Sequence, residues 1–155
     1  MTTTLLTLAT MTAHAAPPRT PLIPEDAAQA QTTTGIQIHA GEYDSSHRQA
    51  RTFQHTEATL YDAAGAAIIK HRAGPSWKAQ DGSRIVGEKI ADAPSPNADN
   101  TTRLPLSTHA SASGSLASVR RVRRLDTKGG TARATPCTTE PQLGSSPYYA
   151  RDVFW

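Results

Sequence analysis

The sequence has little of the chemistry from which common catalytic and metal sites are built. Its 155 residues include one cysteine, and aromatic residues make up 5% of the chain. It contains no Cys-x-x-Cys and no His-Glu-x-x-His spacing, so the standard zinc frameworks are absent. Phosphate-binding glycine loops and the Gly-x-Ser-x-Gly nucleophile elbow are missing too. We therefore expect no cofactor and no metal, and we assign no catalytic residue.

Long apolar runs and strong charge are also missing. No stretch of 18 apolar residues exists, so the sequence predicts no transmembrane segment. The formal net charge of +3 is small for a dedicated nucleic-acid binder. The densest basic run, VRRVRR at 119–124, predicts the solvated face of a strand. Because no aromatic residues alternate with its arginines to stack bases, we expect no nucleic-acid partner.

The first 34 residues predict an exported chain with an unstructured lead-in. The apolar run LLTLATM at 5–11 is followed by Ala-His-Ala at 13–15 and a proline-rich segment, a pattern typical of the end of a secretory signal peptide. The basic front is missing, so we interpret 1–15 as a truncated signal peptide; a disordered tail is the alternative. Residues 16–34 predict a disordered lead-in. The expected location is secreted or periplasmic.

From residue 35 onward the pattern is that of short strands separated by turns. In GIQIHAG at 35–41, Ile36 and Ile38 alternate with polar residues, which indicates a strand. Asp81-Gly82 favours a two-residue hairpin turn. Similar segments recur to the end of the chain. The sequence thus predicts one all-β domain over 35–155, an antiparallel sandwich or barrel of about eight short strands.

Large side chains are scarce enough that most should be needed in the core. The closing segment PYYARDVFW at 147–155 predicts a strand in which Tyr149, Val153 and Phe154 are partly buried. The same reasoning favours Trp77 as a core residue over Trp77 as a ligand platform.

The segment HRAGPSWKAQDGSRIVG at 71–87 gathers the residue types that a site would use. Trp77 offers a flat apolar surface, and His71, Asp81 and Ser83 offer polar edges, so these four are the candidate ligand-binding residues. The predicted function is a module that binds a small molecule or an envelope partner. One alternative is a hydrolase-like enzyme with His71 as general base. The other is a purely structural envelope protein, since turns alone explain much of the segment.

Two further features leave alternatives open. His39, His71 and His109 each fall on a predicted strand, so a three-histidine metal site is conceivable, although the sequence gives no pairing between them. Cys137 is the only cysteine and is therefore unpaired within the chain. It is either a free thiol or half of a bridge whose partner is lost.

Four segments together resemble the DUF3455 family, small and mostly exported bacterial and fungal proteins of unknown function. They are ATLYDAAG at 58–65, the segment at 71–87, VRRLDTKGGTA at 122–132 and TPC at 135–137. The positions that carry the family pattern are Gly35, Gln37, Ile38, Leu60, Tyr61, Asp62, His71, Gly74, Pro75, Trp77, Asp81, Gly82, Ser83, Thr127, Gly129, Gly130 and Cys137. The resemblance covers 35–155 and implies no particular reaction.

Two positions depart from the family pattern. His39 stands where the pattern has an aromatic residue, and Gly41 stands where it has a cysteine. The resemblance therefore implies that Cys137 lacks its usual partner. A bridge of that kind typically contributes about 2–4 kcal/mol of stability.

Overall fold

The computed structural model describes residues 29–43, 45–132 and 141–155. These residues form eight β-strands and no helix. In chain order the strands are β1 (Gln29–Tyr43), β2 (Gln49–Tyr61), β3 (Ala67–Arg72), β4 (Ser76–Ala79), β5 (Arg84–Lys89), β6 (Pro105–Ala112), β7 (Arg121–Gly129) and β8 (Gln142–Phe154).

Each strand pairs antiparallel with the next, and β8 returns to pair with β1, which closes the sheet into a barrel. The all-β antiparallel prediction is confirmed, and the choice left open between sandwich and barrel falls to the barrel. Three strands are longer than expected: β1 has 15 residues, and β2 and β8 have 13 each. β1 can pair along most of its length on both sides because its partners are nearly as long.

β1 starts at Gln29, before the expected start at Gly35. The added part includes Thr32 to Thr34, which are β-branched and favour extended backbone. This stretch has no alternation of apolar and polar residues, which is why the sequence predicts a disordered lead-in there. In the structure, however, Thr33 is fully buried inside the barrel. The predicted signal peptide and Cys137 lie outside the described residues, so those expectations stay predictions.

The apolar core fills one end of the barrel, the closed end. Its buried members come from seven strands and one connection: Leu60, Ile69, Trp77, Ile85, Leu106, Leu116, Val122 and Phe154. Trp77 is 1% exposed, as expected of a core residue. In β8, Val153 and Phe154 are 6% and 5% exposed, as predicted, whereas Tyr149 is 41% exposed and Tyr148 is the tyrosine that is buried. Tyr148, Ala150 and Asp152 alternate inward along the strand, so Tyr149 faces outward.

The connection 113–120 seals the closed end. Leu116 packs into the core, while the backbone N–H of Ser115 donates to Asp81 Oδ2 at 2.7 Å. The N–H of Leu116 donates to Ser83 Oγ at 3.2 Å. Asp81 and Gly82 lie in the turn between β4 and β5, as predicted, with Gly82 at a positive φ of 87°. These bonds tie two connections together across the bottom of the barrel.

Candidate functional site

Three ionisable side chains lie together inside the barrel. His71 on β3, Arg124 on β7 and Asp152 on β8 are 1%, 4% and 0% exposed. Side chains alternate between the two faces of a strand, so residues two apart share a face. His71 follows the buried Ile69 by two positions, and Arg124 follows the buried Val122 in the same way. The strand register therefore points all three into the interior.

Hydrogen bonds fix the protonation state of His71. Its Nδ1 lies 3.0 Å from the carbonyl oxygen of Ser76, and a carbonyl can only accept, so Nδ1 carries the proton. Its Nε2 lies 3.0 Å from Arg124 Nη2, and a guanidinium can only donate. Nε2 is therefore the acceptor. His71 is a neutral imidazole in the Nδ1–H tautomer.

The electrostatic surroundings favour the same neutral form. Burial, followed by the positive charge of Arg124, lowers the pKa of His71 to about 4. Asp152 and the bond to Ser76 act in the opposite direction but do not offset this. A cation beside a buried imidazole disfavours a second positive charge. At neutral pH His71 is thus an acceptor for Arg124 and carries no charge.

Asp152 is the buried counter-ion of the group. Its Oδ2 accepts a hydrogen bond from Thr33 Oγ1 at 3.1 Å. Its Oδ1 lies 3.7 Å from Arg124 Nε, close enough for an ion pair but too far for a hydrogen bond. Neither Oδ1 nor Nε has a hydrogen-bond partner among the described residues. The two opposite charges therefore attract each other without a direct hydrogen bond.

Two aromatic rings hold these groups in place. The indole of Trp77 stacks on His71 with ring centroids 4.6 Å apart and planes 12° from parallel. The guanidinium of Arg124 lies 5.3 Å from the ring centroid of Tyr148, within the range of a cation–π contact. Burial raises the pKa of Tyr148, so its hydroxyl stays protonated. Trp77 thus belongs to the apolar core on one side and supports the ionisable group on the other.

A cavity of about 800 Å³ lies at the other end of the barrel, the open end, and reaches down to His71 and Arg124. Ligand pockets for small molecules commonly measure about 300–1,000 Å³. Apolar side chains form much of its wall, among them Phe53, Pro75 and Leu104. The ionisable group therefore forms a layer between the apolar core and a solvent-filled space.

The connection 90–104 is fastened across part of the open end. Gln37 Nε2 donates to Thr101 Oγ1 at 3.0 Å, and the N–H of Gly129 donates to Asn100 Oδ1 at 2.9 Å. The backbone N–H of Thr101 also donates to the carbonyl of Gly129 at 2.7 Å. These bonds join the connection to β1 and β7. The mouth of the cavity is consequently shaped by a long connection that is held at several points.

The four candidate residues from the sequence fall into two groups. His71 and Trp77 stack on each other beneath the cavity, and only His71 of the four lines it. Asp81 and Ser83 lie at the closed end, where Ser83 Oγ donates to Asp81 Oδ1 at 2.6 Å. Trp77 lies opposite His71, and Ser83 lies opposite Ala79, two residues further along β4, which is about 7 Å at roughly 3.3 Å per residue. Asp81 and Ser83 therefore hold the closed end together and do not reach His71.

The geometry does not favour His71 as a general base. A base needs a free lone pair within reach of the proton it removes. In His71 the Nδ1 position carries hydrogen and the Nε2 lone pair accepts from Arg124.

His109 is exposed on β6, while His39 is buried at the cavity wall. Within the described ranges no group of three His, Cys, Asp or Glu residues could hold a metal ion.

Arg124 and Asp152 were missed in the sequence. The basic run at 119–124 was expected to be solvated throughout, and for Arg124 that prediction was wrong. The signal that would have found it is alternation, because Val122 must face the core and Arg124 shares its face. Asp152 follows the buried Ala150 by two positions, so the same rule applies.

Comparison with known proteins finds one family. The model of the family described as "Protein of unknown function (DUF3455)" matches residues 24–155. No curated protein and no solved structure matches the chain. Among the described residues there is no helix long and apolar enough to cross a membrane.

Proposed function

The chain belongs to the DUF3455 family, and because the description of that family names no function, we propose from geometry alone that the domain binds a small molecule in the open-end cavity. One observation carries this proposal. A space of about 800 Å³ runs from solvent to the buried pair of His71 and Arg124.

The architecture supports such a role. Eight strands enclose an interior that side chains can just fill or that can hold one small ligand. In this barrel the apolar core fills the closed end, and the open end keeps its space. The fold therefore provides stability and a cavity in the same interior.

The chemistry at the base of the cavity supports it as well. Burying Arg124 and Asp152 carries a desolvation penalty that well-packed apolar residues of the same volume would avoid. Buried charged residues are concentrated at functional sites, where their charge is used. A charged group that reaches a ligand-sized cavity has an evident use in recognition.

The cavity is also largely preformed. His71 and Arg124 lie on strands, and the connection 90–104 is held by side-chain and backbone hydrogen bonds. A ligand entering such a site orders few additional groups, which lowers the entropic cost of binding.

A cavity-blocking variant tests the proposal. Ala98 is exposed and lines the cavity, so Ala98→Trp should fill part of the space. Ala63 is exposed in the turn between β2 and β3 at the opposite end, and Ala63→Trp is the matched control. We expect small molecules found by ligand-observed NMR to lose binding to Ala98→Trp and to keep it with Ala63→Trp. Equal binding to both variants, or no binder in a broad library, would overturn the proposal.

Export and an envelope component as the natural ligand are part of the same proposal. They rest on residues 1–15, whose pattern predicts a signal peptide. Fractionation of the native cells, followed by antibody detection, tests this part. We expect the protein outside the cytoplasm; recovery in the cytoplasmic fraction alone would contradict it.

A further inference from the structure

We infer that the ligand of this cavity is an organic acid whose carboxylate binds Arg124 and whose body is apolar. The inference rests on the proposed function, because it requires that the cavity bind a small molecule. It adds the chemical class of the ligand and the atoms that recognise it.

The first argument is that Arg124 has hydrogen-bond donors to spare. A guanidinium has five N–H donors. Among the described residues only one acceptor is within hydrogen-bond distance, Nε2 of His71 at 3.0 Å. The nearest carboxylate oxygen, Oδ1 of Asp152, is 3.7 Å from Nε. Arg124 lines the cavity, so an incoming acceptor can reach its guanidinium from that side.

A carboxylate suits these donors better than a neutral acceptor does. The planar fork of a guanidinium matches the two oxygens of a carboxylate, and two parallel charge-assisted hydrogen bonds result. A guanidinium N–H that faces the cavity exchanges a bond to solvent for a stronger, charge-assisted bond when a carboxylate binds. An acid bound at Arg124 would gain this difference, and a neutral acceptor would gain less.

The second argument is that Asp152 balances the charge of Arg124 as an ion pair but accepts no hydrogen bond from it, so the described residues leave most of the guanidinium donors unused. His71 is held neutral by its bond to Ser76, so it accepts a hydrogen bond without supplying a negative charge. One oxygen of Asp152 is engaged by Thr33. A carboxylate arriving from the cavity would therefore find guanidinium donors that no anion among the described residues accepts from.

Among the described residues that line the cavity, more side chains are cationic than anionic. Arg51, Arg72 and Lys89 line the cavity, and Asp92 is the only carboxylate among the described lining residues. Asp92 forms an ion pair with Lys89 at 2.8 Å. Glu57, which does not line the cavity, lies 3.8 Å from Arg72. Cationic side chains therefore outnumber carboxylates among the described lining residues.

A second histidine in the cavity wall also has a lowered pKa. His39 is 7% exposed and lines the cavity. Burial, followed by the charge of Arg51, lowers its pKa. The charge of Arg51 thus disfavours a further positive charge at His39.

The apolar wall defines the rest of the ligand. Phe53, Pro75 and Leu104 line the cavity, and so does Leu106 of the apolar core. Apolar surface that is removed from water on binding contributes to affinity in proportion to its area. A wholly polar anion would leave this wall unused. An acid with an aromatic or aliphatic body would use both parts of the cavity.

The test is a set of acid, amide and amine triplets that share one apolar body. One triplet is 4-phenylbutanoate, 4-phenylbutanamide and 4-phenylbutylamine, and a second is built on a dodecyl chain. We expect the wild-type protein to bind the acids at least about tenfold more tightly than the amides by calorimetry, with the amines weakest. Amides that bind as well as the acids would overturn the inference and leave the proposed function standing. Failure of every triplet and of the broad library would overturn both, whereas library binders without an acidic group would overturn the inference alone.

A paired variant locates the preference at Arg124. Arg124→Gln combined with Asp152→Asn removes both buried charges and keeps hydrogen-bonding groups at both positions. Arg121→Gln, on the outer face of the same strand, is the matched control. After circular dichroism shows folded protein, we expect the double variant to lose the preference for acid over amide and Arg121→Gln to retain it. A preserved preference in the double variant would overturn the inference, and the wild-type triplets decide it independently should that variant not fold.

Discussion

Arg124 donates a hydrogen bond from Nη2 to Nε2 of His71 at 3.0 Å inside the closed barrel. A histidine that accepts from an arginine must be neutral, and the bond from Nδ1 to Ser76 fixes which nitrogen carries the proton. This pair lies at the boundary between the apolar core and the cavity. Its properties make the account testable in several ways.

The pH dependence of stability should report the buried neutral His71. The pKa of His71 is lowered from 6.5 to about 4 in the folded protein. Between these two pH values the unfolded chain therefore binds a proton at His71 that the folded protein does not bind. The contribution to stability is therefore complete above pH 6.5 and is lost as the pH falls toward 4. The loss should reach about 3 kcal/mol, at 1.36 kcal/mol per pKa unit. Urea unfolding between pH 7 and pH 4 measures it.

The variant His71→Gln is the control for this prediction. It removes the titrating group and leaves the other acidic and basic residues in place, so their effects cancel in the comparison. The unfolding free energy of the variant should fall less steeply over the same pH range. Parallel curves for the two proteins would show that His71 is not a buried neutral imidazole.

Removing the buried counter-ion should cost far more than removing an exposed one. Asp152→Asn keeps an acceptor for Thr33 but leaves the charge of Arg124 buried, which typically costs about 3–5 kcal/mol. Asp126 and Arg151 form a more exposed pair at 2.8 Å, and Asp126→Asn should cost at most about 1 kcal/mol. Urea denaturation of the two variants measures the difference. Equal losses would contradict the role assigned to Asp152.

Trp77 requires a glycine beside it. A Cβ atom at Gly87 would lie 2.9 Å from Cζ3 of Trp77, closer than packed atoms allow. Gly87→Ala should therefore destabilise the protein by about 1–3 kcal/mol through overpacking. At Gly144 a Cβ would meet only the end of the flexible Arg51 side chain, at 3.1 Å. Gly144→Ala should be nearly neutral in thermal unfolding, and a neutral Gly87→Ala would contradict the packing described.

A substitution at the closed end should loosen that end without changing ligand binding in the cavity. Asp81→Ala removes the acceptor for the backbone N–H of Ser115 and frees the hydroxyl of Ser83. Hydrogen exchange at the amides of Ser115 and Leu116 should become faster, while binding in the cavity should not change. Slow exchange in this variant, or a loss of ligand binding, would contradict the separation of the two ends.

The fold could be predicted from the sequence as far as local pattern reaches. Alternation at Ile36 and Ile38 and the Asp81-Gly82 turn indicate strands and a hairpin, and both are local features. Closure of the barrel is not local, because it depends on β1 pairing with β8 at the far end of the chain. The long polar start of β1 becomes a strand only because that partner is present.

Only part of the candidate site could be predicted, because its residues also come together through non-local strand pairing. His71 was identified by its residue type, but Asp81, which the sequence grouped with it as a candidate ligand-binding residue, lies at the closed end of the barrel. The actual partner, Arg124, is 53 positions away, and the bond between Thr33 and Asp152 spans 119. Only the strand register brings such residues together. The alternation rule gives the face of each residue, and the pairing of strands gives its neighbours.

A crystal structure of the protein with the tightest-binding acid from the triplets tests the central claim most directly. The account predicts the carboxylate at about 3 Å from the guanidinium nitrogens of Arg124 and the apolar body against Phe53 and Leu104. His71 should keep its bonds to Ser76 and Arg124. An acid bound outside the open-end cavity, or one whose carboxylate faces solvent at the mouth, would contradict the account.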